Sequence, residues 1–412
     1  MSGFLKSNRF SMILLGSMLL GCVVGGIWGP GASALTPIAN VFLNLLYCCV
    51  VPMIFVSLVS SISKMENLKK LGKLLLIMMV VFILTQIIAS VYMVAVCGLF
   101  DPASGAQVNL NQKVGDLTSS NDFLSMFTVN DFSLLWSRKS LMALIVFALI
   151  SGVATVAVGE KGKPVVAFFD SLQEVIMKVV SYVMYIAPIG LGAFFATLIG
   201  EQGSQLVGPL SRAIVIYLIA AIVYYILANT LYAFIGGGSL GVRRYWANML
   251  SLSLTALGTC SSAACIPLNL MATKKIGVPD EIADISIPLG TNLHKDGACL
   301  ITILKIAFMC SVFHVNFMNP QILFTAILVS VIASTVMGAI PAGGYVGEIF
   351  IISAFNFPQV AIPIMVLIGT ITDAPATAIN AVGHPCAAMI VTRMVEGKNW
   401  LKERLTAEKV SA

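Results

Sequence analysis

The sequence predicts an all-α polytopic membrane protein with eight transmembrane helices plus two re-entrant hairpins. Three observations predict it. The 412 residues are 58% hydrophobic and only 10% charged, with mean hydropathy +0.96, whereas a soluble domain carries about a quarter charged residues. Apolar runs of the length that crosses a bilayer, about 20 residues, recur through the first 240 positions. Beyond these, four apolar segments are interrupted at their centres by glycine, proline, hydroxyl or charged residues, as are the discontinuous helices of transporters.

The unbroken runs fall at roughly 10–29, 38–62, 73–99, 140–159, 172–199 and 211–236. The first, preceded by Lys6 and Arg9, is too long for a signal-peptide core and shows no clean cleavage site, so it reads as span 1. Basic residues mark the cytoplasmic side. They cluster at Lys6/Arg9, Lys64/Lys69/Lys70/Lys73, Lys161/Lys163, Arg243/Arg244, Lys274/Lys275 and Arg393/Lys398/Lys402/Arg404. The 101–137 loop, with Asp101, Asp116, Asp122 and Asp131 against Lys113, is expected outside. Both termini then lie in the cytoplasm, which requires an even number of crossings. The net charge of +6 is small for this length and does not suggest nucleic acid. Nine scattered cysteines, all in apolar sequence and without CxxC spacing, read as small buried hydrophobes rather than a disulfide framework.

The segment 246–273 is broken by Gly258, Thr259, Ser261, Ser262 and Pro267, and 319–356 by Gly338, Pro341, Gly343, Gly344 and Gly347. A span with a polar centre follows each, 279–313 and 358–394. The interval from hairpin proline to key aspartate is 29 residues (Pro267 to Asp296) in one half and 32 (Pro341 to Asp373) in the other. Matching breaks in two halves point to an inverted repeat with a binding site between them. The first hairpin enters from the cytoplasm, between Arg243/Arg244 and Lys274/Lys275, and the second from outside.

The chemistry concentrates in two stretches. In IPLGTNLHKDGA (287–298), His294, Lys295 and Asp296 stand in a row between Gly290 and Gly297. Charges at bilayer depth are expensive and line cavities or ion paths. The flanking glycines and Pro288 suggest unwound backbone, tolerated only where it faces protein or water. In the last span Asp373, Thr377, Asn380 and His384 recur at offsets of 4, 3 and 4, one helical face. A carboxylate, a hydroxyl and an amide in line can hold a zwitterion. Ser261 and Ser262 at a hairpin tip would offer hydroxyls and free N–H groups to a carboxylate. Glu348 is either the partner of a basic residue or a water-exposed acid at the second hairpin's mouth.

These landmarks resemble the dicarboxylate/amino acid:cation symporter family, which includes glutamate and aspartate transporters. The resemblance rests on VPMIFVSLVSSIS (51–63) with KKLGK after it, LFDP (99–102), APIGLGAF (187–194), SSAACIP (261–267), Asp296–Gly297, PAGG (341–344) and the Asp373, Thr377, Asn380 face. It implies the glutamate-transporter fold with inverted repeats, a homotrimer in membrane lipid, and an elevator movement. The implied division is 1–72 scaffold (spans 1 and 2), 73–100 transport domain (span 3), 101–200 scaffold (external loop, spans 4 and 5), 201–395 transport domain (span 6, hairpin 1, span 7, hairpin 2, span 8) and 396–412 cytoplasmic tail. It places Ser261, Ser262, Ala298, Pro341, Ala342, Gly343, Asp373, Ala376, Thr377 and Asn380 around the substrate, with Asp373 on its amino group.

Departures from the family pattern shape the expected function. Members that carry acidic substrates have an arginine where Ala376 stands and a threonine where Ala298 stands, so both side-chain carboxylate contacts are missing here. A second negative charge would be desolvated unpaired, which favours a neutral amino acid; the alternative is an acidic amino acid or dicarboxylate with Lys295 as counter-charge. The cation region, Thr85, Gln86, His294, Lys295, Asp296, Asn380 and His384, is also altered, with HKD where the family has NMD, and Phe82 close by. Sodium at Asp296 and Asn380 is one reading. The other has the Lys295 ammonium near those two residues in place of sodium, with transport coupled to protons through His294/His384 or uncoupled. The coupling ion is thus Na+ or H+, and no cofactor is expected. Two other classes of function compete with transport: an ion-conducting channel, and a hydrolase built on Ser261, His294 and Asp296, which lacks a nucleophile-elbow motif.

Overall fold

The computed structural model describes residues 9–63, 68–104, 128–137, 140–202, 207–336, 344–358 and 360–411. Fourteen α-helices follow one another among the described residues. They are α1 (Arg9–Trp28), α2 (Thr36–Ser63), α3 (Leu68–Leu99), α4 (Leu141–Ala157), α5 (Lys163–Tyr185), α6 (Ala187–Gln202) and α7 (Val207–Thr259). Then come α8 (Ile266–Ile276), α9 (Asp280–Leu293), α10 (Asp296–Val312), α11 (Pro320–Val336), α12 (Gly344–Phe355), α13 (Ala361–Glu396) and α14 (Trp400–Ser411).

Four stretches are long and apolar enough to cross a membrane: Gly16–Phe42, Lys73–Leu99, Gly208–Thr259 and Ala361–Glu396. A fifth is added if Gly159–Val183 and Ala187–Glu201, bent by 51° against each other, count as one. The sequence predicts eight; among the described residues, two of the expected spans are short or interrupted. The 140–159 run yields a helix of only 17 residues, and the 279–313 span is split between Leu293 and Asp296. Large apolar side chains turn outward along the long helices, with Leu19, Ile27, Leu227 and Leu250 all more than 60% exposed. Such surfaces suit hydrocarbon, where helices satisfy their own backbone groups. The protein is an all-α integral membrane protein.

Packing sorts the helices into two neighbourhoods. α1, α2, α4, α5 and α6 pack chiefly on one another, while α3 and α7 to α13 pack around α13 and α10. In the first neighbourhood small residues let backbones touch. A Cβ at Gly21 would lie 2.2 Å from the Gly192 carbonyl oxygen, and one at Gly25 2.2 Å from that of Ala196. The Gly21/Gly25 spacing is the small-xxx-small pattern of membrane helix pairs. In the second neighbourhood Gly238 (φ 65°, ψ −159°) kinks α7, and the turn Cys260–Cys265 leads into α8. α8 ends at Gly277 in the left-handed region (φ 117°), as helix C-termini commonly do. The Arg244 guanidinium donates to the carbonyls of Ile276 at 2.6 Å and Lys275 at 2.5 Å, satisfying that end.

Three expectations are revised. The tail is more than a polar end: α14 seats Trp400 and Leu401, both buried, and Trp400 Nε1 donates to the Gly236 carbonyl at 2.7 Å. The cysteines are not uniformly buried; Cys48 is exposed, and Cys22 and Cys260 are half-buried. The external loop, predicted as polar, carries an aromatic patch at its end: Trp136 meets Phe55 edge-on at 5.3 Å, and Phe132 meets Phe147 at 5.6 Å. Residues 105–127 of that loop lie outside the described residues.

Gly25→Leu is expected to destabilise the purified protein by about 1–3 kcal/mol through overpacking against α6. Gly26→Ala, whose Cβ meets nothing within 4 Å, is expected to be neutral; thermal melting in detergent compares the two.

Candidate substrate and cation site

The site is built on the break between α9 and α10. His294 (φ −118°, ψ 105°) and Lys295 (φ −143°, ψ 74°) are extended, so the helix is unwound where the sequence predicts it. Such a break exposes carbonyls at one helix end and N–H groups at the next. Side chains from α3 and α13 take them up. Gln86 Nε2 donates to the Leu293 carbonyl at 3.0 Å and to that of Phe82 at 3.1 Å, while its Oε1 accepts from Ser334. His384 Nε2 lies 3.0 Å from the His294 carbonyl. Asn380 Oδ1 accepts from the N–H groups of Gly297 at 2.8 Å and Ala298 at 3.4 Å. α10 and α13 touch here, since a Cβ at Gly297 would lie 2.3 Å from the Ala376 carbonyl oxygen.

These bonds assign the His384 tautomer. Facing a carbonyl, Nε2 carries the hydrogen; Nδ1 then accepts from Asn269 Nδ2 at 3.2 Å. Asn269 cannot turn its oxygen there cheaply, because the same nitrogen donates to the Ala381 carbonyl at 2.8 Å and Thr273 donates to its Oδ1 at 3.4 Å. His384, bonded at both ring nitrogens, braces the break.

His294 and Asp296 are buried together, 1% and 2% exposed. Thr85 Oγ1 donates to the Phe82 carbonyl at 3.1 Å, so it accepts from His294 Nε2 at 2.7 Å. The same nitrogen lies 3.3 Å from Asp296 Oδ1, which makes no hydrogen bond, and His294 Nδ1 has none either. Tyr224 donates to Asp296 Oδ2 at 2.8 Å and is itself 3.1 Å from the Tyr232 hydroxyl. Phe82 stacks on the imidazole at 5.0 Å between centroids.

The Asp296 and Asn380 pair expected for sodium does not fit that ion. Asn380 Oδ1 is occupied by backbone N–H groups, and the imidazole nitrogen stands between Thr85 and the free oxygen of Asp296, leaving two oxygens with a nitrogen between them. Hard cations take oxygen-rich cages. Nor does Lys295 take the ion's place. It forms no ion pair with Asp296, whose partners are His294 and Tyr224. Successive extended residues project to opposite sides: His294 goes to Thr85 on α3, and Lys295 leaves on the other side.

Asp373 is exposed while Thr372 and Ala376 beside it are buried, so its carboxylate is accessible on α13. Thr377 follows one turn on, on the same face of α13. Both serines and Ala298 are partly accessible. Ser261 Oγ accepts from Ala264 N–H at 3.3 Å and is not bonded to His294, so no hydrolytic triad assembles. Pro341, Ala342 and Gly343 lie outside the described residues.

Sequence reasoning passed over Tyr224, Asn269, Ser334 and Lys305. The first three are single polar residues in apolar helices and carry no periodic signal. Lys305 did carry one, a lone cation in the run CLITILKIAF.

The sequence profile described as the sodium:dicarboxylate symporter family matches residues 10–394. The chain belongs to this family. Among relatives in the symporter family, a proton/sodium-glutamate symport protein of Bacillus subtilis (strain 168) is 26% identical over 405 residues, covering 94% of this chain and 93% of its own. A proton/glutamate-aspartate symporter of the same organism is 24% identical over 411 residues, 96% and 98% of the two chains. A C4-dicarboxylate transport protein, also from Bacillus subtilis, is 23% identical over 397 residues, 94% and 93%.

Gln86→Leu is expected to destabilise this symporter-family protein by about 1–3 kcal/mol, the usual penalty for a buried carbonyl left unpaired. Asn292→Leu, on the exposed face of α9 with only an intrahelical bond at 3.1 Å, serves as the neutral control in the same melting assay.

Proposed function

We propose that this protein is a secondary transporter carrying a neutral amino acid across the plasma membrane, with sodium coupling weakened or replaced by proton coupling or by uncoupled movement. The observation that carries the substrate class is the charge left unpaired at the cavity that this reading places beside Asp373. Asp373 is exposed and the buried Lys295 has no ion-pair partner among the described residues, while Lys305 is engaged by Glu348. One anion and one cation match one zwitterion: ammonium on Asp373 and Thr377, carboxylate on Lys295 and the Ser261–Ser262 turn. A second carboxylate would find Ala376 and Ala298. A second reading has Lys295 holding the side-chain carboxylate of an acidic substrate, with the serine turn alone on the α-carboxylate. It is favoured by the glutamate, aspartate and C4-dicarboxylate relatives.

The two packing neighbourhoods support an elevator with α1, α2 and α4 to α6 as scaffold and α3 with α7 to α13 as the moving part, working as a homotrimer. In this reading the chain between α10 and α13 forms hairpin 2 and the Cys260–Cys265 turn is the tip of hairpin 1, completing eight spans. Both termini face the cytoplasm.

Proteoliposomes loaded to impose sodium and pH gradients separately test the coupling. Unchanged uptake when choline replaces sodium is expected; steep sodium dependence would overturn it. Lys295→Met separates the two substrate readings. Under the first it weakens uptake of labelled alanine and serine at least about tenfold, the effect of losing a charge-assisted contact. Loss confined to aspartate, with alanine and serine uptake absent from the start, selects the acidic substrate.

A further inference from the structure

One pair of charges lies beyond both the Asp296 network and the cavity. Lys305 projects from α10 and Glu348 from α12, 5% and 1% exposed, and Lys305 Nζ donates to Glu348 Oε1. They meet in a notch on α13: a Cβ at Gly369 would lie 2.7 Å from Lys305 Nζ and 3.1 Å from Glu348 Oε1. Gly369 precedes Asp373 by one helical turn, about 6 Å along the same face. The other helices packed on α12, namely α2, α4 and α11, carry no charged residue in their spans. Lys305 and Asp373 are therefore the charged groups that Glu348 meets among the described residues.

A buried ion pair is a weak stabilising device, because desolvation offsets most of its attraction. Pinning α12 to α10 could be done by apolar side chains, whereas holding a cation at a set distance from Asp373 could not. We propose that Lys305 is a positioning residue for the substrate's amino group: Glu348 holds its ammonium in the Gly369 notch, near enough to act on Asp373 and too firmly held to occupy it. Asp373 thus stays free for the ammonium of the substrate. This rests on the reading that Asp373 binds that ammonium. Releasing Lys305 would let it swing one turn along α13 and compete with the substrate.

The test measures, in proteoliposomes, inhibition of labelled uptake by alanine, serine, threonine and aspartate and by their amine-free counterparts propionate, 3-hydroxypropionate, 3-hydroxybutyrate and succinate. If the unaltered protein does not prefer the amine-bearing compounds, the Asp373 reading fails and the proposal goes with it. Where it does prefer them, Glu348→Gln is expected to shrink that preference roughly tenfold, through KM with kcat retained. The double variant Lys305→Met/Glu348→Gln, which removes the loose cation, is expected to bring the preference back toward the starting value. A Glu348→Gln protein that loses kcat for every substrate with its preference unchanged would make the pair a structural pin and overturn the proposal. Should that variant not reach the membrane, Gly369→Ala displaces the ammonium from the notch and decides by the same criterion.

Discussion

Everything around the site depends on keeping a helix open inside a low-dielectric interior. At the break the carbonyls of Leu293 and His294 and the first N–H groups of α10 lose their helical partners, and an unpaired buried peptide group costs about as much as a lost bond. The protein closes the account with four tethered side chains. Gln86 and His384 take the carbonyls of Leu293 and His294, and Asn380 takes two N–H groups of the next turn. Asn269 fixes His384 from behind. The helices that bear these side chains, α3, α8 and α13, are thereby tied to the break, and the break is held as one rigid centre.

Extended backbone at residues 294 and 295 has a second consequence, which is to sort charge. Because neighbouring side chains leave on opposite sides, the three consecutive ionisable residues go to different places. His294 and Asp296 are buried with Thr85 and Tyr224, while Lys295 leaves on the other side and pairs with neither. A continuous helix would have turned 100° per residue and could not have divided them so cleanly. The proposed change of coupling and the proposed substrate class therefore share one cause.

The sequence shows the break itself, since Pro288, Gly290 and Gly297 bracket three charges in apolar surroundings. It shows the Asp373, Thr377, Asn380 and His384 face through helical spacing, and the family through ordered motifs. It does not show which partner each group takes. Lys295 stands beside Asp296 in sequence, and adjacency suggests contact; extended geometry sends the two apart. His384 reads as one polar residue on a helical face, and nothing local in the sequence shows its partner Asn269, 115 residues away. Glu348 could not be assigned because its partner, Lys305, lies 43 positions back on another helix. Contacts of this range are set by packing, and local pattern carries no record of them.

A bound sodium ion and a tethered imidazole differ in what they ask of the protein. An ion leaves and returns, so its site must tolerate an uncompensated carboxylate in between. His294 is covalently attached and stays beside Asp296 whatever the outside solution contains. A carboxylate with a permanent N–H neighbour and a tyrosine donor has less to gain from capturing sodium, and less to lose when sodium is absent. On the proposed reading, the energy that a coupled relative would draw from an ion gradient at this position has been exchanged for a site that keeps its shape through the whole cycle, and the free charges at the cavity are left to answer to the substrate alone.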